Sequence, residues 1–331
     1  MTRPPNLAIG LLGDVMLGRM VAEALHQRPP ETLWAPELRE LASSLDLVVC
    51  NLECCISERG QPTTLIEGKP FFFRGPPVGV EALQAMNIRA VGLANNHALD
   101  FGEEALTDTL ELLHAAGIAT AGAGFGLAGA RAPAVVRASG MYVGLLAVSD
   151  HPLAYAAAAE RCGIAHATMH DKPPGWLLEQ VAAARERCDL VIAFPHWGPN
   201  MARRPGPGRQ AVAARLQAAG ADLVAGHSAH VFHGVGWEGC PVLFDLGDAL
   251  DDYMVEPELR NDLGVLAIWR PYGDPQLELV GLRLGYCHTR LAEGADAGWI
   301  AARLELACGE LGTTVTRTAE QRFTIVPAAQ D

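Results

Sequence analysis

Six short apolar runs in this 331-residue chain each lead to side chains that can hold a metal ion or move a proton. LAIGLLG leads to Asp14, DLVVCN to Asn51 and Glu53, and RAVGLA to Asn95, Asn96 and His97. LVIAFP leads to His196, ADLVAG to His227, Ser228 and His230, and CPVLFDLG to Asp245, Asp248, Asp251 and Asp252. Carboxylates, amides and imidazoles are borderline-hard donors. They suit one or two divalent ions of manganese, iron, zinc, magnesium or calcium, and suit soft copper poorly. A carboxylate shared by two such donor sets holds two ions ~3.5–4 Å apart, the arrangement used for phosphoryl and related hydrolysis. Taken singly, each residue also has a plain structural reading. An aspartate after a strand caps the next helix, Asn-Asn is common in turns, and a lone histidine is often a hydrogen-bonded core residue. For most of residues 245–252 capping is the favoured reading. The sharpest local signal is the glycine-led turn that places His227 and His230 three residues apart. The grouping at strand ends carries the argument, because ligand sites in α/β sheets collect where the carboxyl ends of strands open into loops.

Such loops need strands behind them and helices between. β-type runs at 7–12, 47–50, 90–93, 142–148, 190–194, 222–225 and 242–244 alternate with helical stretches at 36–45, 80–86, 103–116, 176–187 and 210–219. Gly117 and Gly220 follow two of these helices, at the position where a left-handed residue ends a helix. The alternation predicts a layered α/β domain with helices covering sheets. KPFFFRGPP at 69–77 reads as a loop or edge strand, and MARRPGPG at 201–208 as a surface loop. After about Pro257 come β runs at 264–270 and 277–284, a helix at 296–311 and a β stretch at 313–326. The expected organisation is a main domain over 1–255 and a small C-terminal α+β appendage, 256–331, packed on it.

A chain that is 50% hydrophobic and 19% charged has ample material for one large core. The formal net charge of −13 excludes a broad electrostatic footprint for DNA or RNA, so no nucleic-acid partner is expected. A local basic pocket stays open. Arg19, Lys69, Arg74, Arg203 and Arg204 are the cations able to meet an anionic small molecule or peptide. Asn95 and Trp197, beside donor-type residues in the chain, are also expected to face substrate. The first apolar run is too short for a signal peptide or a membrane helix. The eight cysteines include no Cys-x-x-Cys pair and read as reduced core thiols. A cytoplasmic location with no membrane partner is expected, and the oligomeric state is left open.

GDVMLGR (13–19), NLECCIS (51–57), LANNHALDFG (93–102), HWG (196–198), GHSAHV (226–231) and LGDALDDY (246–253) together resemble the CapA-like family of capsule, or poly-γ-glutamate, synthesis proteins. That family lies within the calcineurin-like metallophosphoesterase fold, and the resemblance runs from about residue 8 to 326. It implies a metallophosphatase-like α/β/β/α sandwich. It further implies Asp14 and Glu53 as carboxylate ligands with Glu53 as the bridge, Asn96 as amide ligand, and His196, His227 and His230 as imidazole ligands. His97 is implied as the acid/base. The chain departs from the pattern at Met16, where phosphoesterases have a histidine, at Pro199-Asn200, and at Ser228-Ala229 inside the GH turn. Founding members are membrane-tethered and work on an anionic polymer. No tether is read here, so capsule synthesis is not expected of this chain.

The leading functional expectation is a metal-dependent hydrolase acting on a phosphoester or a peptide-like amide or ester through a metal-activated water, with His97 protonating the leaving group. The alternative on the same scaffold is a metal-assisted peptide epimerase in which histidines move a proton at Cα. A third reading is a non-catalytic binding protein that kept the pocket.

Overall fold

The computed structural model describes residues 7–272 and 276–329. Its first sheet is built around Ile9–Val15. Leu47–Leu52, Ile88–Gly92 and Ala119–Ala121 extend outward on one side, all parallel. On the other side Leu263–Trp269 pairs antiparallel with Ile9–Val15, followed by Leu277–Gly285, Arg322–Pro327 and Thr313–Ala319. The residues from 256 onward, expected as an appendage, are therefore attached to the main domain through main-chain pairing such as Ile9↔Trp269 and Leu11↔Ala267. Where one final β stretch was expected, two antiparallel strands form a hairpin.

The second sheet runs Ala134–Ala138, Met141–Ser149, Leu190–His196, Leu223–Ala225, Pro241–Leu243, Val235–Trp237 in space. Its four inner strands are parallel. Successive side chains of a strand point to opposite faces, so a strand that is apolar throughout must be covered twice. Leu190–His196 shows this directly. Ile192 and Phe194 join the large apolar interior shared with the first sheet. Val191 and Ala193 pack instead with Leu177 and Val181 of helix Gly175–Arg185 and with Val212 and Leu216 of helix Pro207–Ala218. Leu145 and Ala147 against Leu146 and Val148 divide in the same way along Met141–Ser149. Helices Pro36–Ser43, Gly79–Ala85 and Gly102–Ala115 lie against strands of the first sheet. The result is the expected layered α/β/β/α sandwich.

Helix Gly102–Ala115 stops where the glycine predicted. Gly117 takes φ +74°, its N–H bonds to His114 O at 3.0 Å, and the Ile118 N–H closes back to Leu113 O at 2.9 Å. Several short strands were not foreseen, among them Ala134–Ala138, Val235–Trp237 and Asp248–Leu250. Asp248–Leu250 pairs parallel with Ile9–Val15 in the register Asp14↔Asp248; three residues are too few to show a period. All eight cysteines are free and seven are buried. Among the described residues, no helix is long and apolar enough to cross a membrane.

Candidate metal centre and its cavity

Parallel pairing sets the carboxylates side by side. In the first sheet Asp14 stands opposite both Asn51 and Asp248, and the chain after Asn51 turns at once to present Glu53. The second sheet brings His196 at the end of its strand, bridged to His227 through the main chain. The turn that follows passes through positive φ at Ser228 (+116°) and His230 (+60°). It sets His227 Nδ1 3.4 Å from Asp14 Oδ1 and His230 Nδ1 3.5 Å from Asp14 Oδ2. Two groups of donors result: Asp14, His196 and His227, and Asp14, Glu53, His230 and Asp248, the ligand atoms of each lying within 4.8 Å of one another. Asp14, rather than Glu53, is the carboxylate common to both.

The electrostatics of this cluster call for a cation. Asp14, Glu53 and Asp248 are each at most 1% exposed. Burial raises the Asp14 carboxyl to about 7 against the opposing pull of His230 and the Asn51 bond. Burial likewise pushes Glu53 and Asp248 well above the usual carboxylate range. Three carboxyls with one facing imidazolium, His230, are under-compensated. Burial disfavours that charge too, but Asp248, Glu53 and Asp14 outweigh it and hold the His230 pKa high. Asp14 Oδ2, Glu53 Oε1 and Asp248 Oδ2 have no hydrogen-bond partner among the described residues, an arrangement costly for buried groups. The Nδ1 atoms of His196 and His227 face each other at 2.8 Å, and lone pairs that close repel unless a proton or a cation lies between. Burial keeps both rings neutral, with His227 lowered to about 3, and neutral imidazole is the form that binds metal. The residues present therefore fit a divalent ion. Met16, buried two residues after Asp14, has its sulfur engaged by the Gly18 N–H at 2.9 Å.

An amide relay joins this cluster to His97. Asn51 donates to Asp14 Oδ1 at 2.8 Å, and Asn95 donates to Asn51 Oδ1 at 3.0 Å and to Leu52 O at 2.8 Å. Asn95 Oδ1 then receives the His97 N–H at 3.0 Å. The His97 ring lies on Phe73 with centroids 3.9 Å apart, and its Nδ1 is 2.6 Å from Asp100 Oδ2. A carboxylate at that distance makes Nδ1 the donor and leaves Nε2 as the acceptor. Burial, opposed by the Asp100 bond, lowers the His97 pKa to about 4, so the resting ring is neutral. His97 and His230 both line a cavity of about 690 Å³.

The other predicted residues divide clearly. Asn96 accepts from His196 Nε2 at 3.0 Å and stays beside the first donor group. Arg19 lines the cavity. Three expected substrate contacts are corrected. Asn95 is fully buried and engaged in the relay. Trp197 is 2% exposed and its indole N–H goes to Phe244 O at 2.9 Å. Arg74 lies over Phe101, 4.2 Å from its centroid, and donates to the carbonyls of Arg59 and Gly60, away from the cavity lining. Asp245 and Asp251 serve as capping groups for main-chain N–H groups. Asp252 does the same for Met20. Asp248 breaks from that pattern and joins the donors. Asp100, three residues after His97, was also missed, and the His-x-x-Asp spacing was the available signal.

A two-sheet α/β sandwich with a buried Asp/Glu/His cluster at its strand ends is consistent with the metallophosphoesterase fold. Residues 8–253 match the family described as bacterial capsule synthesis protein PGA_cap, and the chain belongs to that family. It is 30% identical to a probable polyglutamine synthesis accessory protein of Mycobacterium tuberculosis (strain CDC 1551 / Oshkosh), with 98% of this chain and 97% of that protein covered. It is 24% identical to the PGA biosynthesis protein CapA of Bacillus subtilis (strain 168) over 74% of this chain and 63% of that protein. Among solved structures it is similar to a hypothetical protein from Thermus thermophilus, with TM-score 0.43, 13% identity, and coverage of 86% of this chain and 96% of that one.

Proposed function

We propose that the protein is a metal-dependent hydrolase of a phosphoester or a peptide-like amide or ester bond. The observation that carries this reading is Asp14 shared between two donor groups, with His97 on the wall of the adjoining cavity. A divalent ion held there supplies activation of water and polarisation of the scissile group. The chain supplies the rest. Asp14, Glu53 and Asp248 provide negative charge on one side, and His196 and His227 provide neutral nitrogen donors on the other. Asp100 holds the His97 tautomer, so that Nε2 takes a proton from the incoming water and returns it to the departing atom. That neutral ring makes His97 first a proton acceptor, where the sequence pointed to a donor. The same acceptor also suits removal of a proton from carbon, which keeps epimerisation as the second reading.

Elemental analysis of protein purified without added metal, followed by turnover in ¹⁸O water, tests the proposal. Bound divalent metal and label in a cleaved product are expected, with both reduced in Glu53→Ala and His227→Ala. Deuterium uptake from heavy water without cleavage would favour the epimerase. Metal content unaltered in both variants would sink the site.

A further inference from the structure

The cavity wall is unlike that of a polyanion channel. Four exposed large apolar residues surround it: Phe71 at 54%, Met201 at 38%, Met254 at 88% and Val255 at 42%. Single exposed apolar residues are ordinary, whereas a cluster of them around a cavity marks a binding surface. Away from the donor cluster and its histidines, the charged side chains of the wall are Arg19, Arg203, Glu256 and Glu258, which cancel. Arg203 is already engaged, with Nη2 3.2 Å from Glu258 Oε2. Arg19 is held differently. Its Nε lies 3.3 Å from Asp252 Oδ2, and the same carboxylate takes the Met20 N–H at 2.9 Å, anchoring the backbone at φ +53°. Its guanidinium stands 5.5 Å from the Phe71 centroid and 5.9 Å from that of Phe73. Among the described residues its Nη atoms have no hydrogen-bond partner. A guanidinium anchored through Nε and open at its outer edge is set to receive one anionic group.

We propose that the cavity takes a small substrate in which an apolar group of about aromatic size stands beside a single carboxylate or phosphate. The apolar group lies against Phe71, Met254 and Val255, and the anion meets the outer edge of Arg19. This rests on the hydrolytic reading for the position of the reacting bond, at the His97 and His230 end of the cavity. A chain of many carboxylates matches the wall poorly, because balanced charge offers no net attraction and the apolar surface returns nothing for the water stripped from each acid.

Isothermal titration of the metal-loaded protein with N-acetylphenylalanine, phenyl phosphate, inorganic phosphate and tri-glutamate tests this. N-acetylphenylalanine is expected to bind at least ~10-fold tighter than tri-glutamate, and phenyl phosphate at least ~10-fold tighter than phosphate, as burial of a ring requires. The two aromatic probes also tell which anion is preferred. Arg19→Gln should weaken both by about 10-fold, and Val255→Asp should remove the aromatic advantage. Both variants should keep wild-type metal content, since neither residue belongs to the donor cluster. Arg19→Gln, which unpairs the buried Asp252 carboxylate, is expected to melt lower, and its melting curve checks that it is folded. Equal or tighter binding of tri-glutamate, equal binding of the two phosphates, or no binding of either aromatic probe overturns the proposal. Absence of metal or of ¹⁸O incorporation counts against the hydrolytic reading alone, because the substrate class is read from binding ratios.

Discussion

His97 owes its orientation to a residue outside the donor cluster. Asp100 receives His97 Nδ1, the Tyr155 hydroxyl at 3.0 Å and the Phe73 N–H at 2.7 Å, and Lys69 Nζ stands 3.2 Å away. So many partners fix the carboxylate, and through it the ring. His97→Asn is expected to lower turnover by about 10²–10⁴-fold with metal content unchanged. Asp100→Asn, which frees the tautomer, should lower turnover by about 10–100-fold. Turnover and elemental analysis on the same preparations check both. Metal lost from His97→Asn would make that residue a ligand, and full activity would make it structural.

At the level of elements, the centre depends on how closely Ile9–Val15 approaches the chain around Gly247. A Cβ built on Gly13 would stand 1.8 Å from Gly247 O, while the neighbouring Asp14 N–H donates to that oxygen at 3.1 Å. No side chain fits there without moving the strand from Asp248–Leu250, and these two strands carry Asp14 and Asp248. Gly13→Ala should therefore cost about 1–3 kcal/mol of stability and also weaken metal binding. Thermal melting with and without metal separates the two effects. A variant that melts lower yet binds metal normally would show that the close approach serves packing alone.

For the molecule as a whole, a bound metal ion would compete with the proton for the same carboxylates. Asp14 is raised from 3.8 to about 7, so the metal-free fold favours its protonated form. Its contribution to metal-free stability is fully present below 3.8 and is lost as pH rises through about 7. Metal requires the free carboxylate, so affinity should rise with pH up to about 7, with proton release on binding below that value. At a fixed metal concentration, the metal-induced rise in melting temperature should be larger at pH 8 than at pH 6. A saturating ion at about 100 times its Kd adds ~2.7 kcal/mol, and a chelator should remove that gain. Equal shifts at both pH values would separate the carboxylate cluster from metal binding.

The layers and most of the donors were legible in the order of the amino acids. Apolar runs such as 190–194 and 142–148 announce strands covered on two faces, and a strand end followed by a histidine or carboxylate is visible without coordinates. Gly117 marks its helix end because only the left-handed region closes that turn cheaply. Which side chains meet was settled by the folded chain. Asp248 became a donor because its three-residue strand pairs with a strand more than two hundred positions earlier in the chain. Trp197 sits beside His196 in sequence, yet it points to the opposite side and into the core, as alternation along an extended chain requires. Arg74 and Arg19 read alike as isolated cations. What separates them is the cavity, formed by Phe71, Met201 and Val255 from three distant loops, and no local pattern records a contact made across such distances.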